Sequence, residues 1–193
     1  MVTIANVAGS DLADMIQRSI ELMAFPPSAW EATTYAEVIA LPRVVVTRPP
    51  AEDLLETGFV PYDCHRNCAE QVANDPRYSS RHVIGWLPHG EDLILHSVAE
   101  IAGRWLCLTP QFGATPSRFD FIPDPHIEWR DGDDSLYKTA FRHGHELPEA
   151  LRKNPRRHIR MRDQFLAMVK AGMSALEARD AVAKATECSS EEL

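Results

Sequence analysis

The segment Asp63-Cys64-His65-Arg66-Asn67-Cys68 gathers two thiols, an imidazole, a guanidinium and an amide within six residues. Asp63 suits a helix N-cap, and Asp75-Pro76 marks a stop, so Cys64 to Asn74 reads as a helix with Cys64 in its first turn. The unpaired N–H groups and positive dipole end at that position favour a thiolate. A thiolate is the nucleophile of covalent acyl transfer. Asp63 works in the opposite sense, because a neighbouring negative charge raises a thiol pKa. His96 sits in a later apolar stretch and is the candidate base, able to take the thiol proton and return it to a leaving group. Asn67 is a candidate third polar member. Backbone N–H groups at the helix start would form the oxyanion hole.

The same residues allow a bland reading. A buried cysteine is a small apolar side chain, and Cys68, one turn beyond Cys64, suits the core or a resolving thiol. Cys107 also suits the core, and Cys188 lies in a polar tail and carries no assigned role. Zinc is the competing chemistry, since Cys64, His65, Cys68, His96 and Cys107 supply soft ligands. The pattern lacks the second paired knuckle of zinc ribbons, and His143-Gly144-His145 stands apart as a loop pair, so no metal or other cofactor is assigned. Trp86, Trp105 and Trp129 either line a groove or pack the sheet, and packing is the commoner use of strand tryptophans.

These side chains need elements to carry them. Ser10 to Phe25 has a capping serine, early acids and helical apolar spacing, and Pro26-Pro27 ends it. Tyr35 to Leu41 is ambiguous. Val44 to Thr47 reads as a strand and Ala51 to Glu56 as a short polar helix. After the Cys64 helix come strands at Arg81 to Leu87, Leu93 to Ile101 and Arg104 to Leu108. Short turns join them into an antiparallel meander. Thr109 to Pro148 is rich in Pro, Gly, Asp and His and reads as loop-dominated, with a strand at Phe119 to Ile122. Pro155 to Thr186 is helical, with a stripe of Met161, Phe165, Met168 and Val169, a break at Gly172 and a capping box from Ser174 to Glu177. The basic run Arg152, Lys153, Arg156, Arg157, His158, Arg160 and Arg162 reads as a solvated helix start.

The order of cysteine helix, strand, His-bearing strand and a strand ending in Thr109-Pro110 resembles transglutaminase-like and papain-like cysteine enzymes. His96-Ser97-Val98-Ala99-Glu100 and Gly103-Arg104-Trp105 are similar to the transglutaminase His strand and the Gly-Trp strand after it. Cys64-His65-x-Asn67, Gly85-Trp86, His96-x-Val98, Thr109-Pro110 and Phe121-Ile122-Pro123-Asp124 more closely resemble a bacterial family labelled zinc-chelation or SecC-like. The match spans about residues 62 to 125. It implies a papain- or transglutaminase-like core with Cys64 as nucleophile and His96 as base. Transglutaminase-like enzymes carry an Asp two residues before the Thr-Pro, where it orients the histidine, and here that position is Cys107. A thiol accepts an imidazole N–H poorly. Loss of the orienting carboxylate costs on the order of 10⁴ in rate in serine proteases. Asp120, Asp124, Asn67 and Glu100 are the nearby replacements in sequence.

With 193 residues, 45% hydrophobic and 25% charged, the chain can bury a core of one ordinary domain plus an extension. The expected division is an α+β catalytic-type domain over residues 1–154 and a helical extension over 155–193, with an antiparallel sheet of three to five strands packed on the Cys64 helix. The net charge of −8 disfavours nucleic acid as a partner. There is no apolar run of about 20 residues for a bilayer and no secretory signal pattern. Four cysteines make no disulfide framework. The expectation is a cytoplasmic protein whose partner is a peptide or small acyl substrate. It would act by cysteine-dependent hydrolysis or transfer at an amide, isopeptide or thioester. The alternatives are a non-catalytic binding or regulatory module of the same fold, or a small zinc protein.

Overall fold

A computed structural model describes residues 9–111, 115–131 and 138–190. The chain is α+β and divides into two compact units, one formed by residues 30–153 and the other by the two terminal regions.

The residue 30–153 unit is built on strands β1 (Val44–Thr47), β2 (Ser80–His89), β3 (Asp92–Ile101), β4 (Arg104–Leu106) and β5 (Arg118–Pro123). The meander of β2, β3 and β4 is present, with His89 and Asp92 closing one turn and Ile101 and Arg104 the next. Ala102 and Gly103 both adopt positive φ, the mirror-image turn that matches strand twist. An open sheet is not the outcome. β1 runs antiparallel to β5 and parallel to β4, and β5 also pairs with β2, so the order β2-β5-β1-β4-β3 returns to β2 and closes a barrel. Closure removes the exposed edges that an open sheet would carry. A sixth strand, β9 (Ala150–Leu151), adds to β3 at Leu93 and Ile94.

Alternation along each strand sorts the side chains. Val46, Val98, Cys107 and Phe121 fill the barrel interior, with Val44, Val83, Trp105 and Phe119 around them. Gly85 faces Pro123 across the β2–β5 pair, where a Cβ would lie 2.1 Å from the Ile122 carbonyl oxygen. Only glycine allows that strand approach. The outward faces meet helices. Helix α4 (Cys64–Ala73) packs on β2 and β3, and its Cys68 is buried with Leu54, Ala99 and Leu108. Leu54 comes from α3 (Ala51–Glu56). Elsewhere Trp86, Leu93, Leu95 and Ile122 are covered by Val38 of α2 (Ala29–Ile39), the region left ambiguous by sequence.

The stretch expected to be loop-dominated holds a second, three-stranded sheet, made of β6 (Ile127–Asp131), β7 (Lys138–Arg142) and β8 (His145–Glu146). His143 and Gly144 form its tight turn with positive φ. Ion pairs of two buried arginines tie the unit together. Arg142 bridges Asp124 at 2.9 Å and Glu37 at 2.6 Å. Arg152 holds Glu31 by its Nε at 2.8 Å and its second guanidinium nitrogen at 2.9 Å, with both side chains sealed from solvent.

The other unit consists of α1 (Gly9–Leu22), α5 (Pro155–Lys170) and α6 (Ala175–Ser190). Ile16, Phe165, Ala178 and Val182 form its core, flanked by Met161, Met168 and Val169 of the expected stripe. The chain divides at 29/30 and 153/154, and α1 is grouped with the C-terminal helices. The capping box is formed: Ser174 Oγ accepts from the Glu177 N–H at 3.3 Å, and the Glu177 carboxylate accepts from the Ser174 N–H at 3.1 Å.

Candidate functional site

Cys64 is the first residue of α4, and Asp63 caps the helix by accepting from the Arg66 N–H at 3.3 Å. The thiol is partly exposed and free. It meets β3 between the stretch paired to β9 (Leu93, Ile94) and the stretch paired to β4 (Ala99 to Ile101), where no strand pairs with that edge among the described residues. There the Ser97 backbone N–H reaches the Cys64 sulfur, which lowers the thiol pKa. Burial outweighs it, and with the Cys107 thiol and the Asp63 charge adding in the same direction the Cys64 thiol is pushed up to about 12. The helix start therefore carries a protonated thiol at neutral pH.

Strand alternation decides which β3 side chain meets α4. Ser97 and Ala99 point to the helix, and Val98 points into the barrel. Ser97 Oγ lies 2.6 Å from His65 Nδ1 on α4 and 2.6 Å from His82 Nε2 on β2. One hydroxyl thus joins two imidazoles, donating to one and accepting from the other. The His65 ring meets Trp129 edge-on, with centroids 4.6 Å apart. Burial, followed by the nearby His82, lowers His65 to about 4, and burial likewise lowers His82.

His96 faces the other way. Its ring lies against Phe119 and Phe121, both at 6.3 Å between centroids, and Nε2 is 3.5 Å from Cys107 Sγ. Arg48 Nε donates to the same sulfur at 3.4 Å, while its guanidinium stacks over Phe119. Burial, then the His65 and Arg48 charges, drive His96 down to about 3. Among the described residues no hydrogen bond joins Cys64 to His96.

The four groups considered as replacements for an orienting carboxylate are committed elsewhere. Asn67 is fully buried, accepting from the Val60 N–H and donating to the Val60 carbonyl, both at 2.8 Å. It pins the loop before α4. Asp124 accepts from Trp86 Nε1, Arg142 and the His126 N–H. Asp120 lies 3.6 Å from Arg43, and Glu100 pairs with Arg81. The group beside the His96 ring is Cys107 itself. Among the described residues no three of His, Cys, Asp and Glu come together to hold a metal ion.

His82 also lines a groove of about 460 Å³ with Arg81, Val83, Ile84, Pro123 and Ile127. Its volume falls in the range of small-molecule sites. Ser97, His82 and Arg48 were not singled out by sequence. The available signal was the two-residue period of β2 and β3, which places His82 and Ser97 on one face. No helix among the described residues is long and apolar enough to cross a membrane. Comparison with protein-family models, curated proteins and solved structures finds no match.

Proposed function

We propose that the barrel unit is a non-catalytic binding module, a transglutaminase-like relative that keeps the cysteine-bearing helix without turnover. Its ligand is a peptide or small acyl group whose apolar chain occupies the groove beside His82. One observation carries this reading: among the described residues no hydrogen bond joins Cys64 to His96, whose Nε2 faces the Cys107 sulfur instead, and burial drives the thiol up and the imidazole down. An efficient thiol–imidazole pair needs the reverse of both shifts. The aliphatic lining of the groove supplies the binding surface. A cytoplasmic location fits the free thiols of Cys64, Cys68 and Cys107.

The second reading is cysteine-dependent acyl transfer or hydrolysis with Cys64 as nucleophile. It is favoured by the place of Cys64 at a helix start with the Ser97 N–H on its sulfur.

A titration with an N-octanoyl amino acid, followed by amide NMR, separates the two. The binding reading expects saturable shifts at Val83, Ile84 and Ile127 with the ligand recovered intact. Released amino acid or an octanoyl adduct on Cys64 would establish the second reading. Absence of any shift would remove the acyl-binding proposal.

A further inference from the structure

The barrel interior holds a polar cluster that the binding reading does not use. Cys107 is fully buried, and its sulfur is flanked by Arg48 Nε at 3.4 Å and His96 Nε2 at 3.5 Å. Arg48 and His96 are themselves buried. An apolar interior would serve the fold without these groups, and a buried guanidinium is costly unless something stabilises it. The Arg48 guanidinium donates to the Pro116 carbonyl at 3.3 Å and stacks on Phe119, but no carboxylate among the described residues pairs with it. The side-chain acceptor that the buried guanidinium meets is the Cys107 sulfur. Arg48 also lines a cavity of about 260 Å³ with Pro50, Gln111, Thr115 and Ser117, so the cation extends from that cavity to the sulfur. Nearby in the chain, the buried Thr109 hydroxyl has no hydrogen-bond partner among the described residues, leaving a spare donor and acceptor.

We infer that Cys107 is a peroxide-reactive thiol, with Arg48 Nε donating to its sulfur and His96 Nε2 within hydrogen-bond reach of it. The oxidant class is a small hydroperoxide, because the interior admits no bulky electrophile. The sulfur attacks the nearer peroxide oxygen, the O–O bond breaks and an S–O bond forms. The proton lost by the thiol ends on the departing oxygen, giving water or an alcohol. Sulfur is oxidised by two electrons to sulfenic acid, and the peroxide is reduced by two. The reaction is independent of ligand binding in the groove.

Cys68 provides an internal standard. It is as fully buried as Cys107, but its surroundings are apolar and its thiol is pushed up by burial. The test exposes the folded full-length protein to hydrogen peroxide for a series of times and removes the peroxide with catalase. The chain is then unfolded in dimedone, which traps sulfenic acid, and each cysteine is quantified by mass spectrometry. Cys107 should oxidise at least about tenfold faster than Cys68, because negative charge developing on its sulfur meets the Arg48 guanidinium while Cys68 has apolar neighbours. Arg48→Leu should slow Cys107 by a similar factor and leave Cys68 unchanged. Equal rates for the two cysteines in the wild-type protein would overturn the assignment. So would an unchanged Cys107 rate in a folded Arg48→Leu variant. If that variant does not fold, the wild-type comparison decides alone.

Discussion

Acidification should unfold the barrel unit through His96. The ring is buried between Phe119, Phe121 and Cys107, and burial with its neighbouring cations lowers it to about 3. In the unfolded chain it returns to about 6.5. Between these values the unfolded state binds a proton that the native state refuses, so stability falls as pH falls. The contribution is complete above pH ~6.5 and is lost progressively down to pH ~3. From pH 7 to 4.5 the native ring stays neutral while the unfolded ring passes through about two units. At about 1.4 kcal/mol per unit, that is a loss of about 2–3 kcal/mol from this residue. His65, lowered to about 4, adds in the same direction over a narrower window. All four tryptophans, Trp30, Trp86, Trp105 and Trp129, lie in the residue 30–153 unit, so tryptophan fluorescence in urea reports that unit. Wild-type and His96→Asn proteins, unfolded at pH 7, 6, 5 and 4.5, should converge in stability by about 2–3 kcal/mol as pH falls. A wild-type minus variant difference independent of pH would refute a neutral, buried His96.

Breaking the sealed Glu31–Arg152 pair by Arg152→Met should cost about 3–5 kcal/mol in urea unfolding, because it removes the guanidinium that balances a buried carboxylate. The double variant Glu31→Leu/Arg152→Met should recover most of that loss. Asn67→Ala removes both hydrogen bonds to Val60 and should destabilise the barrel unit by about 2–3 kcal/mol, measured by the same fluorescence transition. Ser174→Ala removes the capping hydroxyl of α6 and should lower helical-unit stability by about 1 kcal/mol, visible in a thermal melt by circular dichroism.

Local chemistry was legible where short-range rules act. The Asp63 cap, the β2–β4 meander and the Ser174–Glu177 box all depend on residues a few positions apart. Barrel closure was not legible, because it rests on Val44–Thr47 pairing with Arg118–Asp120 and Phe121 and with Leu106, partners far apart in the chain. The second sheet was hidden by its composition. Glu128, Arg130 and Lys138 are exposed and interrupt Trp129, Ala140 and Phe141, so the strands carry too few apolar residues in a row to stand out. At the site, Cys64 at a helix start was readable, but the face presented by β3 was not. A shift of one residue exchanges Ser97 for His96, and register is set by pairing with Ile84 and Gly85. Arg48 was invisible as a partner of Cys107 until the barrel brought β1 beside β4.

The rate of Cys64 alkylation by iodoacetamide as a function of pH tests the binding-module account most directly. With the thiol pushed up to about 12, alkylation should be slow at pH 7, rise steadily to pH 10 without a plateau, and be unaltered by His96→Asn. A plateau with a midpoint below pH 8 that disappears in His96→Asn would contradict the account and reveal an activated thiol–imidazole pair.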